Sequence, residues 1–231
     1  MIASKYVSFN TPTAEHQSPP GTGTMDRSLK ELRNTFENAL KAHLKLELAG
    51  HPGLVVSKNK VVIKHRSGAV ATLHFEYLAN TRSYETIVLA EHPILQKELE
   101  RMDPPYPSNL ANAKLVYCMS TVSEREACPL LPVTEQGVER VCRGLLQRLL
   151  ETDLPIISNL FDLSPGLVND VLARPERYSY PVPIIHSALR SNGIRPDVDT
   201  VARILSEKTL GYTNHREQKD SFNRRLMAEP E

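Results

Sequence analysis

His74, Glu76 and Glu85 have the types and the spacing to share one face of a β-hairpin. Residues two apart on a strand point the same way, so His74 and Glu76 stand together. With Asn80-Thr81 as a two-residue turn, Glu85 falls directly opposite Glu76. One imidazole and two carboxylates could ligate a metal ion or support acid–base chemistry. Opposed carboxylates repel unless a cation lies between them, and Lys64 or Arg82 could supply that charge in place of a metal. His74, Glu76 and Glu85 are the candidate metal ligands; no catalytic residue is assigned and no cofactor is expected. The cysteines are Cys118, in a strand-like stretch, Cys128, in a loop, and Cys142, on an apolar helical stripe. Reactive thiols need basic neighbours, and Cys128 has Glu126 beside it instead. An odd number of cysteines without a C-x-x-C pair argues against a disulfide framework and for a reducing, cytoplasmic setting. Gly21-Thr22-Gly23 lacks the Lys-Ser or Lys-Thr that completes a phosphate loop.

A second constellation is basic. Lys58 sits at a turn, and Lys60, Lys64 and Arg66 project from one face of the strand that follows. Such a face can guard a sheet edge against aggregation. It can also dock a partner protein that presents an acidic or extended segment. These four residues are the expected partner-binding set. A third stretch, Ile156 to Ala173, resembles the helix-turn-helix of bacterial repressors, with Leu160, Leu163, Val168, Val171 and Leu172 at its packing positions. Asp162 occupies the usual turn-glycine position. The second helix carries Asp170 and no basic residue before Arg174, and acids outnumber bases from Glu151 to Glu231. DNA binding draws on several phosphate contacts, so the stretch reads as a packing motif. The alternatives to partner binding are a metal-dependent enzyme using His74, Glu76 and Glu85, or a DNA-binding regulator using residues 156–173.

The elements that must position these residues follow from periodicity. Ser28 and Glu31 have capping-box spacing ahead of an apolar stripe, Leu29, Leu32, Phe36, Leu40, Leu44 and Leu48. Gly50 and Pro52 are its expected stop. From Val55 to Glu91, apolar–polar alternations are separated by turns at Lys58-Asn59, Ser67-Gly68 and Asn80-Thr81, which is the pattern of an antiparallel meander. Leu73, Phe75, Tyr77, Tyr84, Thr86 and Val88 form its predicted core side. Pro93 to Met102 predicts a short helix and Lys114 to Val122 a fifth strand. Thr134 to Glu151 predicts a long helix with Val138, Val141, Cys142, Leu145, Leu146, Leu149 and Leu150 on its apolar face. Shorter helices follow, including Ile184 to Ser191 and Asp197 to Lys208, and residues 212–231 are expected to fray. The predicted organisation is a disordered leader, 1–25, an α+β core domain, 26–151, a helical lobe, 152–211, and a polar tail, 212–231.

Twenty-eight basic residues against 27 acidic ones leave no global field to attract nucleic acid or an anionic membrane. There is no tryptophan and few aromatics to stack bases. No apolar run reaches the roughly 20 residues of a membrane span. The fold class is therefore α+β, an antiparallel meander of about five strands covered on one face by two long amphipathic helices, followed by the helical lobe. In element order, residues 26–151 are similar to the class I type III secretion chaperones. That resemblance implies capture of a protein as an extended chain, and a homodimer. The function expected is a non-enzymatic protein-binding module of chaperone, adaptor or immunity type.

Overall fold

The computed structural model describes residues 28–206 and 215–228; the leader expected at residues 1–25 lies outside them. Helix α1, Leu29–Glu47, begins at a complete capping box: the Ser28 hydroxyl accepts the Glu31 N–H, and the Glu31 carboxylate accepts the Ser28 N–H at 2.8 Å. Two otherwise orphaned donors are satisfied, worth about 1 kcal/mol. Phe36, Leu40, Leu44 and Leu48 are buried, whereas Leu29, expected on the same stripe, is 42% exposed at the helix entrance. Gly50 does not end the helix in a left-handed conformation. Leu48 caps it with ordinary angles, and the left-handed residue is Gly53, at φ 81°, which aims the chain into the first strand.

The meander is present. Strands β1 (Leu54–Val56), β2 (Lys60–Lys64), β3 (Val70–Leu78), β4 (Ser83–Glu91) and β5 (Tyr117–Ser120) form one antiparallel sheet in chain order. The β3–β4 register matches the expectation: Tyr77 faces Tyr84 and Glu76 faces Glu85. Strand β5 is shorter than predicted because the chain turns away at Thr121. Gly68, at φ 84°, closes the β2–β3 turn, with His65 N–H to Ala69 O at 2.9 Å. The inner rows run Val61–Leu73–Val88–Met119 and Ile63–Ala71–Ala90–Tyr117 across the strands, and all eight side chains are buried. They join the buried stripe of α1 and Cys142, Leu145 and Leu146 of α3 (Glu135–Arg148) in one core cluster. Each large side chain there contributes about 2 kcal/mol by leaving water.

Helix α2, Pro93–Met102, has the predicted bounds. Its cap was not foreseen: His92 Nδ1 accepts the Leu95 N–H at 3.1 Å, leaving Nε2–H to donate to the Phe161 carbonyl at 3.2 Å. That pattern makes the imidazole neutral, and burial holds its pKa below the ordinary value. The predicted helix stop near Glu151 is not a stop. A π turn, Leu149–Asp153, carries α3 into α4, Leu154–Asp162, and Pro155, which has no N–H to donate, stands directly after it. Helix α5, Gly166–Ala173, follows, then a 3₁₀ turn, Pro175–Arg177, and α6, Pro181–Ser191. Helix α6 is buried nearly all round and forms the centre of this group. Helix α7 spans Val198–Ser206. Residues 216–228, expected to fray, form α8, Arg216–Ala228. Phe222 and Leu226, one turn apart, bury against Tyr106, whose hydroxyl donates to Asn223 Oδ1 at 2.9 Å. Among the described residues no helix is long and apolar enough to cross a membrane.

Candidate functional site

Helices cover one face of the sheet, and the other face is the candidate site. Pairing across the strands places Val55, Val62, Thr72, Leu89 and Cys118 in one row. Lys60, His74, Ile87 and Ser120 form the next row, and Glu76 and Glu85 the one beyond. Every one of these side chains is half-buried or exposed, with Val55 at 53%, whereas the inner rows are dry. Lys64 and Glu91 stand at the opposite end of the same face, both exposed. The face therefore has a largely apolar middle, cations toward β2 and carboxylates toward β3 and β4.

The predicted partner-binding residues divide. Lys60 and Lys64 lie on this face on either side of Val62, and Arg66 is exposed at the turn that follows. Lys58 turns elsewhere. Its ammonium lies 3.7 Å from Glu37, a carboxylate on α1 that also accepts from Tyr84 Oη at 3.3 Å and from Arg33 at 3.4 Å. Glu37 is the buried anchor that draws Lys58 to the helical side.

The predicted metal candidates share the face but do not converge. Among the described residues no group of three His, Cys, Asp or Glu side chains is placed to hold a metal ion. Glu85 accepts a hydrogen bond from the Ser120 hydroxyl. Neither Lys64 nor Arg82 bridges the two carboxylates, since neither forms an ion pair with them. The three thiols are free. Burial pushes the Cys142 thiol up to about 11 and raises Cys118 as well. Cys128 Sγ lies 3.4 Å from Thr121 Oγ1 in a half-buried position.

The helix pair at residues 156–173 packs inward. Ile157, Leu160, Leu167, Val168 and Val171 are buried, and Asn159 Nδ2 donates to Asp170 at 2.8 Å across the turn. The left-handed residue of that turn is Leu163, at φ 46°, not Asp162. Asp162 instead lies 3.3 Å from His65 Nε2, and the His65 ring stacks on Phe161 at 5.6 Å.

Two clusters escape the sequence. One is ionic and lies beside the π turn: Arg148 pairs with Glu126 and approaches Asp153 at 3.5 Å, and Arg177 pairs with Glu124. Burial raises the Asp153 carboxyl to about 6, against the pull of Arg148 and with the push of Glu126. These pairs fasten the loop after β5 to the helices beneath. The other is a cavity of about 340 Å³ where α2, α6 and α8 meet, lined by Arg101, Arg190 and Arg225 among others. Its arginines are far apart in the chain, and each reads alone as a cation in the last turn of a helix.

Comparison of the chain with protein-family models, with curated proteins and with solved structures gives no match.

Proposed function

We propose that this protein is a non-enzymatic binding module that receives an acidic, extended segment of a partner protein on the sheet face opposite α1 and α3. The observation that carries the reading is the set Lys60, Val62 and Lys64, an apolar side chain between two cations, continued by Val55 on the edge strand and His74 on β3. An extended segment lying over β1 and β2 can set acidic side chains four residues apart on the two lysines and bury the apolar side chain midway between them over Val55 and Val62. Glu76 on β3 and Glu85 and Glu91 on β4 repel the same segment and hold it to the basic half. Capture of an extended chain is also what the resemblance to type III secretion chaperones implies.

The test is selection from a displayed library of linear peptides against the purified protein. Sequences with an acidic-x-apolar-x-acidic spacing, which puts all three side chains on one face, should be enriched. Their affinity should fall at least about tenfold in the variant Lys60→Glu/Lys64→Glu, the size of two lost charge contacts. The thermal midpoint should change little, because Lys60 is half-buried and Lys64 exposed, outside the core. An enriched set without acids, or one that binds the variant equally well, removes this surface from consideration.

A further inference from the structure

We infer that the cavity between α2, α6 and α8 is a binding site for a small organic phosphate. Three guanidinium groups, Arg101, Arg190 and Arg225, line it together with His186, while Met102, Phe222 and Leu226 supply apolar wall. Among the described residues no carboxylate lines the cavity, and none of the three arginines is in an ion pair. Arg225 lies 5.5 Å from the Phe222 ring, so a cation and an aromatic face border the space from the same helix. The wall is built from separate parts of the chain: α6 packs on both α2 and α8, and α8 is held by Phe222, Leu226 and the Tyr106–Asn223 hydrogen bond.

The competing account is that each arginine only neutralises the negative end of its own helix. Three such ends sum to about −1.5 charges. Three guanidiniums exceed that sum, and their excess is focused in one concavity with low-dielectric walls. Guanidinium is also the group that matches phosphate geometry with paired donors. A cavity near 340 Å³ lies at the small end of ligand sites. Its mixed wall favours a dianionic phosphoryl group carried on an apolar or aromatic body over a bare anion.

The experiment is titration of the full chain, at constant ionic strength, with phenyl phosphate and with inorganic phosphate. Calorimetry and phosphorus-31 line broadening read the binding. Phenyl phosphate should saturate, bind more tightly than inorganic phosphate, and lose at least about tenfold in affinity in Arg190→Gln/Arg225→Gln, as expected when charged hydrogen bonds are removed. The three arginine side chains are exposed, so circular dichroism and thermal midpoint without ligand should match the parent. If the double variant loses its fold, Arg101→Gln alone is measured in its place and should weaken binding in the same direction. Absence of saturation, binding no tighter than that of inorganic phosphate, or equal affinity in the folded variant overturns the assignment.

Discussion

Burial moves the acidity of the Asp153 side chain into the range between pH 4 and pH 7. The residue is buried beside the π turn, with Arg148 at 3.5 Å, and its carboxyl is raised to about 6 from an ordinary value near 4. The folded chain holds that proton more firmly than the unfolded chain does. Stability contributed by this group is therefore complete below about pH 4 and is lost as pH rises through about 6. The loss is on the order of 3 kcal/mol by pH 7. Asp153→Asn carries a neutral side chain at every pH. Its stability relative to the parent should rise between about pH 4 and pH 7 by that order, read as the shift in urea midpoint. Subtracting parent from variant cancels the opposite contribution of His92. A difference that stays constant with pH would mean that the buried carboxyl is not the titrating group.

At the scale of elements, the edge strand depends on one glycine. Gly53 has φ 81°, its carbonyl accepts the Lys64 N–H at 2.9 Å, and an added Cβ would lie 2.5 Å from the Lys64 carbonyl oxygen. Gly53→Ala should cost more than about 1 kcal/mol and speed amide exchange in β1 while β3 and β4 stay protected. Unchanged protection at Val55 and Val56 would contradict that account. Much of the sheet is legible in the text because its determinants are local. Alternation fixes the inner side of β3, the Asn80-Thr81 turn fixes which residue faces which, and Pro93 and the Ser28–Glu31 box mark helix starts. What escapes has distant causes. The few apolar residues of α8 look insufficient until Tyr106, a loop residue far earlier in the chain, is placed beneath them. The candidate face is half legible: alternation puts Lys60 and Lys64 together, but only packing shows that Glu37 removes Lys58. The three cavity arginines carry no shared signal at all.

For the whole molecule, the decisive arrangement is that sheet and later helices share one hydrophobic core, from Phe36 on α1 to Ile204 on α7. Two polar ties cross it, His92 to the Phe161 carbonyl and Arg177 to Glu124, and the Tyr117 and Tyr178 rings meet edge-on at 5.0 Å. The polypeptide must leave α3 facing α1 and enter α4 facing α5, and it does so without a loop. The π turn accomplishes this by accommodating one surplus residue. An α-helix advances about 100° per residue, so excising exposed Gln147 from the regular part of α3 would turn its two ends out of register, whereas excising exposed Thr152 removes the surplus itself and leaves Ile157 and Leu160 facing inward. The thermal midpoint should fall far more for the Gln147 deletion than for the Thr152 deletion, and an equal fall in both would show that the turn holds no surplus. In mechanical language the bulge is a timing offset on a shaft: it lets one rod mesh at two ends with gears that are out of phase.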